Sequence, residues 1–223
     1  MNYLVAYPAG FGENNESHLF EAIAQNIYDK GYSILPNALP SYLANLLWNH
    51  LQEMPSFKFK RAGVGRDENH VVNNFLRTDE VCWINGESEA GKAWLHWTGS
   101  LQTLLNRRLL LGLFSFESHF AHYAVGDYYK KHQDAFKGDT NRVLSLVVYF
   151  NPDWLSEDGG ELVIYTGERE EDSAKVTPRF GTIVVFLSEE FPHEVLLTNR
   201  NRFSIAGWFR VNSSNAVRVD PPM

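Results

Sequence analysis

Apolar residues recur at helical spacing in three segments of the first half of the chain. The segment 18–30 stops at Gly31, a residue suited to the left-handed position that ends a helix. The segment 41–54 places its leucines on one side, and the segment 90–111 repeats this pattern with tryptophans and leucines. The first half of the chain therefore predicts three amphipathic helices.

From residue 114 onward the pattern changes to short runs rich in Val, Ile, Phe and Tyr, separated by Gly, Pro, Asp and Asn. Together with two earlier runs, it predicts about nine strands at 32–36, 80–85, 115–123, 128–133, 142–150, 161–166, 182–188, 193–198 and 202–211. The acidic segment 168–172 is interpreted as a solvated turn between strands. Short strands with helices packed outside predict an α+β, mainly β fold, a two-sheet jelly roll (double-stranded β-helix) with supporting N-terminal helices.

Length and composition narrow the class of protein. A chain of 223 residues with 44% hydrophobic content suits one domain spanning 1–223, with helical support in 1–112 and a jelly-roll core in 113–212. The net charge of −7 argues against nucleic acid as a partner, because binding a phosphate backbone requires clustered Lys and Arg. The single cysteine, Cys82, excludes an intrachain disulfide and fits a reducing compartment. With no membrane-length apolar run, we predict a cytoplasmic protein with no membrane partner.

Candidate metal ligands stand in the strand-rich half. His132 and Asp134 are separated by one residue, so in an extended strand both side chains project from the same face. His193 begins a later predicted strand, as a ligand from a neighbouring strand would. Two His and one carboxylate form a facial triad with open coordination positions, which suits non-haem Fe(II). A catalytic Zn with an open water position could use the same ligands, so the triad alone leaves the metal undecided.

Nine residues past His193, Arg202 and Ser204 occupy one face of the strand RFSIAGWF. A guanidinium and a hydroxyl side by side are suited to a carboxylate ligand. No acidic residue in this strand could compensate the arginine charge, and burying that charge alone is costly. A bound dicarboxylate would supply the missing charge. His119 and His122, by contrast, are interpreted as hydrogen-bonded structural histidines.

Several segments resemble the prolyl 4-hydroxylase group of Fe(II)/2-oxoglutarate-dependent oxygenases, and within it the hypoxia-type enzymes. They are YAVGDYYKKHQD at 123–134, GGEL at 159–162 and PRFGTIVVF, HEV and RFSIAGWF between 178 and 209, with RVLSLVVYFN at 142–151 and RTDEVCWINGE at 77–87. Collagen-type members usually have Lys where this chain has Arg202. On this resemblance, Tyr149 would bind the far carboxylate of 2-oxoglutarate beside Arg202, and Tyr123 would line the same pocket.

The resemblance also implies a substrate side. Tyr129 and Trp208 would flank the substrate proline, and Arg77, Asp79 and Arg142 would lie at the mouth of the site. The family uses a mobile loop that folds over the substrate, and residues 57–75 match it in position and glycine content. Closure of that loop would allow Asp79 and Arg142 to form an ion pair.

The function implied by this resemblance is hydroxylation of a prolyl residue in a protein or peptide, with conversion of 2-oxoglutarate to succinate and CO2. The cofactors would be Fe(II), 2-oxoglutarate and O2, with L-ascorbate as an accessory. A hydroxylase of a free amino acid or other small molecule is the first alternative. A catalytically silent jelly-roll binding module or zinc-bound scaffold is the second, although it would not need the complete set of triad and arginine.

Overall fold

Three α-helices, two short 3-10 helices and eleven strands lie in the part of the chain that a computed structural model describes, residues 13–62, 75–135, 141–167, 169 and 171–212. The α-helices are α1 (Glu13–Lys30), α2 (Ser41–Glu53) and α3 (Glu89–Leu109). All three lie where the apolar periodicity predicts them, although α1 begins earlier than expected. Helix α3 starts where the Ser88 side chain accepts a hydrogen bond from the Gly91 amide at 3.0 Å. None of the helices in the described ranges is long and apolar enough to cross a membrane.

The strands confirm the mainly β prediction and add two short ones. They are β1 (Tyr32–Leu35), β2 (Lys60–Arg61), β3 (Glu80–Trp83), β4 (Ser115–Tyr123), β5 (Tyr129–His132), β6 (Arg142–Tyr149), β7 (Leu162–Tyr165), β8 (Ser173–Val176), β9 (Ile183–Leu187), β10 (His193–Val195) and β11 (Arg202–Arg210). The prediction of nine strands omitted β2 and β8. Neither carries a run of apolar or β-branched residues, because β2 is two basic residues and β8 is the sequence SAKV. Pairing with a neighbouring strand, rather than local composition, makes both of them strands.

Two antiparallel sheets pack face to face and form the predicted jelly roll. The larger has seven strands in the order β1-β9-β6-β11-β4-β3-β2, and the smaller has four in the order β5-β10-β7-β8. The larger sheet draws strands from both sides of residue 113. The assignment of 1–223 to one domain stays a prediction.

The larger sheet has an apolar layer on each face. On the outer face, side chains of β4, β6, β9 and β11 join those of the three helices in the main core, where Trp94 and Trp97 stack at 5.6 Å. The Trp94 Nε1 group donates to the Ser118 hydroxyl of β4 at 3.0 Å, which ties α3 to the sheet. On the inner face, Tyr149 and Phe186 pack with residues of the smaller sheet. The space between the two sheets is where the predicted site residues converge.

Candidate active site

Three potential metal ligands meet at the smaller sheet: His132 at the end of β5, Asp134 just beyond it and His193 at the start of β10. The two histidines are register partners in the antiparallel β5–β10 pair. His132 Nε2 lies 3.7 Å from Asp134 Oδ1, and His193 Nε2 lies 3.5 Å from Asp134 Oδ2. Asp134 does not share the strand with His132 as expected, because β5 ends at His132 and the turn that follows brings in the carboxylate. One ligand atom from each residue lies within 4.8 Å of the others, so together they could hold a metal ion.

Backbone carbonyls fix the orientation of both histidine rings. His132 Nδ1 lies 2.8 Å from the Lys130 carbonyl oxygen, and His193 Nδ1 lies 3.0 Å from that of Phe191. A carbonyl only accepts, so each Nδ1 carries the proton and each Nε2 presents a lone pair to the centre of the cluster. The arrangement of ring, carbonyl and carboxylate is that of a prepared metal site with open positions.

The electrostatics of the cluster favour the metal-binding protonation states. Burial, then the neighbouring His193, lowers the pKa of His132 to about 3. Burial alone would raise the pKa of Asp134, but His193, His132 and Arg142 outweigh it and hold that pKa below its usual range. The hydroxyl of Ser145 also donates to Asp134 Oδ2 at 2.7 Å. At neutral pH the His132 imidazole is therefore neutral and the Asp134 carboxylate anionic, the forms that bind a metal.

Arg202 lies at the start of β11 with 1% of its surface exposed. Its Nε donates to the Gly160 carbonyl oxygen at 2.8 Å and its Nη1 to the Ser204 hydroxyl at 3.3 Å. The rings of Tyr123 and Tyr149 lie 4.8 and 5.0 Å from its Cζ. No carboxylate within the described ranges forms an ion pair with it. A buried guanidinium without a counter-ion is costly, so this pocket fits the carboxylate of a bound ligand.

The geometry explains the GGEL segment and the two tyrosines. Gly160 has φ of 66°, and a Cβ there would lie 3.0 Å from Arg202 Cδ, so a glycine lets the arginine approach the turn. Burial raises the pKa of Tyr149 to about 12 and, together with Asp79, raises that of Tyr123 well above its usual value. Both phenols are thus protonated at neutral pH and can donate a hydrogen bond to a carboxylate.

One of the residues predicted for the substrate side, Tyr129, contacts the metal cluster directly. The Tyr129 ring stacks on His132 with centroids 3.5 Å apart, and the Arg77 guanidinium carbon lies 4.4 Å from the centre of the Tyr129 ring. Trp208 belongs to the larger sheet, whereas Tyr129 belongs to the smaller one. The Arg142 Cζ atom lies 3.6 Å from the centre of the Trp208 ring. These contacts bring the predicted residues together, while their roles toward a substrate stay predictions.

Asp79 and Arg142, which are expected to pair when the loop closes, bind other partners in this structure, and their pairing stays a prediction. Asp79 instead accepts from Arg77 in a two-pronged contact at 2.6 and 2.7 Å, and Arg142 binds Glu117 at 2.7 Å. Both carboxylates are buried, so the predicted pair would require two buried ion pairs to exchange partners. The loop predicted to drive that exchange has residues 63–74 outside the described ranges.

Two inner-face residues of β4 were not predicted as site residues: Glu117 was not considered, and His119 was expected to be a hydrogen-bonded structural histidine. His122 is hydrogen-bonded as expected, at 3.1 Å from Asn201 Oδ1, but no described residue bonds to His119 Nδ1. A signal for both was present in the sequence, because they lie six and four residues before Tyr123 and therefore share its face of the strand. Strand alternation would have brought them into the candidate site.

Comparison with known proteins agrees with this geometry. Residues 118–210 match the family described as the 2OG-Fe(II) oxygenase superfamily. A Pseudomonas putida prolyl-4-hydroxylase has a similar structure, with TM-score 0.78, 34% identity and coverage of 86% of this chain and 99% of that one. So does a prolyl hydroxylase from Trichoplax adhaerens, solved with a peptide fragment of hypoxia inducible factor, at TM-score 0.75, 27% identity and coverage of 88% and 90%.

Curated relatives share only part of their length with this chain. A hypoxia-inducible factor prolyl hydroxylase of Caenorhabditis elegans is 28% identical over 164 residues, 65% of this chain and 21% of the relative. A PKHD-type hydroxylase of Synechocystis, itself uncharacterized, is 30% identical over 99 residues, 38% of this chain and 33% of the relative. The chain thus spans a third or less of the length of these two proteins.

Proposed function

The chain belongs to the 2OG-Fe(II) oxygenase superfamily, and on that premise we propose that it hydroxylates a prolyl residue of a protein substrate. Fe(II), 2-oxoglutarate and O2 are the cofactor and co-substrates that the family implies. Accessory use of L-ascorbate and a cytoplasmic location are parts of the same proposal. The observation that carries it is Arg202, a guanidinium buried between the sheets with no carboxylate partner among the described residues, in the same space as the His132, Asp134 and His193 cluster.

The proposed division of labour follows from the contacts. His132, Asp134 and His193 would hold the metal on one side and leave its other positions open. Arg202, Ser204 and the phenols of Tyr149 and Tyr123 would hold the far carboxylate of the co-substrate. That pocket is almost closed to solvent, where charge-assisted hydrogen bonds are stronger than in water.

Bound Fe(II) and 2-oxoglutarate supply the oxidative chemistry, in which O2 is consumed, 2-oxoglutarate becomes succinate and CO2, and a C–H bond of the substrate becomes C–OH. The protein's own contribution is position. The Tyr129 ring, fixed against His132, and the Trp208 ring, fixed under Arg142, would orient the target ring beside the metal. The hydrogen-bonded carboxylate of Asp134 and the two carbonyl-bound imidazoles keep the metal ligands from turning away.

A peptide rather than a free amino acid is proposed because the inner face of the larger sheet continues outward from Trp208 to Trp83. Trp83 is 54% exposed, so this face runs from the metal cluster to the protein surface. The Trichoplax relative was solved with a peptide, which is consistent with a peptide-length substrate.

The test measures succinate formation by Fe(II)-loaded protein with synthetic peptides that have a central proline, with matched peptides carrying alanine there, and with free L-proline. We expect the proline peptides alone to stimulate succinate formation and to gain the mass of one oxygen atom on the proline. His132→Ala should abolish both signals, and His96→Ala, at an exposed histidine of α3, should keep them. Stimulation by free L-proline but by no peptide would replace the protein substrate with a small molecule.

A further inference from the structure

A row of three rings crosses the inner face of the larger sheet. Trp83 of β3 is the register partner of His119 on β4, and their ring centroids lie 5.0 Å apart. His119 in turn lies 5.4 Å from the ring of Trp208 on β11. The row begins at a half-exposed tryptophan and ends at a buried one, so it forms a continuous wall from the surface into the site.

The buried end of this row has two polar atoms without partners. His119 is 4% exposed and Trp208 is 8% exposed. Neither His119 Nδ1 nor Trp208 Nε1 has a hydrogen-bond partner among the described residues. Buried polar groups in proteins are almost always bonded, so two such atoms on neighbouring rings beside a candidate active site indicate a ligand that bonds to them.

The charge state of His119 suits an uncharged ligand group. Burial, then the nearby Arg77 and Arg142, lowers its pKa to about 3. The ring is therefore neutral at pH 7, with one nitrogen that donates and one that accepts. Trp208 Nε1 can only donate. A peptide backbone offers a carbonyl for the donor and an N–H for the acceptor, which a carboxylate or a hydrocarbon ligand does not.

The row lies on the substrate side of the metal cluster rather than on the 2-oxoglutarate side. Trp208 is the register partner of Ser145, whose hydroxyl donates to Asp134 Oδ2 at 2.7 Å. Arg202 is the register partner of Tyr123. Because Tyr123 lies four residues beyond His119 on β4, the two pockets are separated by about 14 Å along the strand. A change at His119 should thus act on one pocket without the other.

We propose that His119 determines substrate specificity by hydrogen-bonding, together with Trp208, a backbone peptide group of the substrate next to the hydroxylated residue. The inference rests on the proposed function, since it names a contact that a peptide substrate makes and a free amino acid does not. It predicts that the protein recognises backbone as well as the target ring.

The test compares His119→Leu, which removes both nitrogens, with His119→Asn, which keeps a polar atom near the position of Nδ1. The matched control is His122→Leu on the same strand, because His122 stacks on Phe203 at 4.7 Å on the other face of the sheet. The probe is a fluorescein-labelled proline peptide that stimulates the wild-type enzyme, and its binding is measured by anisotropy with Zn(II) in place of Fe(II).

We expect His119→Leu to weaken peptide binding about tenfold, the effect of losing one buried hydrogen bond, and to raise the peptide KM by a similar factor. The KM for 2-oxoglutarate should not change, and His119→Asn should recover most of the peptide affinity. Unchanged peptide affinity in His119→Leu, or an equal rise in both KM values, would overturn the inference and leave the proposed function standing. A wild-type protein that neither binds nor responds to any proline peptide would overturn both.

Discussion

Replacing Arg202 with methionine tests the proposed 2-oxoglutarate pocket most directly. Methionine has a similar length and no charge, so Arg202→Met leaves the carboxylate of the ligand in a buried pocket without its guanidinium. Losing one partner of a buried charge pair costs about 3–5 kcal/mol, and each 1.4 kcal/mol is tenfold in affinity. We therefore expect 2-oxoglutarate to bind at least two orders of magnitude more weakly.

The same substitution should have little effect on the stability of the protein without ligand. The variant loses the hydrogen bonds to Gly160 and Ser204, but it no longer buries an uncompensated charge. These contributions oppose each other, so we expect the free energy of unfolding to change by only about 1 kcal/mol. Weak co-substrate binding with near-normal stability is the signature of a ligand-binding arginine rather than a structural one.

The assay is denaturant unfolding of Zn(II)-loaded protein with and without 2-oxoglutarate. At one hundred times its dissociation constant a ligand adds about 2.7 kcal/mol of stability, and at a hundredfold weaker affinity the gain falls to about 0.4 kcal/mol. The control is Arg200→Met, because the Arg200 side chain is 43% exposed and bound to Asp158. If Arg202→Met is stabilised by 2-oxoglutarate as strongly as the control, the assignment of this pocket is wrong.

Three further changes test the metal site, a buried histidine and the core. Ser145→Ala removes the 2.7 Å hydrogen bond to Asp134 and should lower metal affinity about 10–100-fold in a chelator competition, whereas unchanged affinity would show that Asp134 needs no such support. Burial lowers the pKa of His119 to about 3 in the folded protein. Below about pH 6.5 the unfolded chain therefore binds a proton at this histidine, and the folded chain does not. Metal-free protein should therefore lose about 2 kcal/mol from this group between pH 7 and pH 5, a loss that urea unfolding of His119→Leu should not show. Leu101→Ala, at a fully buried position of α3, should cost about 2–5 kcal/mol in urea unfolding, against a small effect of Thr103→Ala on the exposed face of the same helix.

The elements that sequence reasoning located are those with a local signal. The helices carry apolar residues at helical spacing, and most strands carry runs of β-branched and aromatic residues. The two strands it missed, β2 and β8, have no such run and depend on a neighbour for their hydrogen bonds. Local composition cannot reveal a strand whose stability comes from pairing.

The ion pairs at the mouth illustrate a second limit. On the resemblance to prolyl hydroxylases, Asp79 and Arg142 would pair when the loop closes, which stays a prediction. The structure pairs Arg77 with Asp79 and Arg142 with Glu117, and the sequence did not indicate either pair. Arg77 and Asp79 are two residues apart in the extended segment before β3, and Glu117 faces Arg142 from the neighbourhood of Trp208 and Arg210. Which charges meet depends on side-chain directions across three strands, and no linear pattern specifies them.

The sequence by itself identified the candidate metal ligands and the candidate carboxylate-binding arginine. Ligand types and spacings depend on strand alternation and on the preferences of metals and carboxylates, so His132, Asp134, His193 and Arg202 could be selected from the order of residues alone. The tertiary structure decided how these groups are held and what else lies beside them. The pairing of β5 with β10, which brings His193 to Asp134, and the unbonded nitrogens of His119 and Trp208 arise only when strands distant in the chain pack against one another. These arrangements depend on how strands pair and how the two sheets pack, and a pattern of neighbouring residues in the sequence does not specify either.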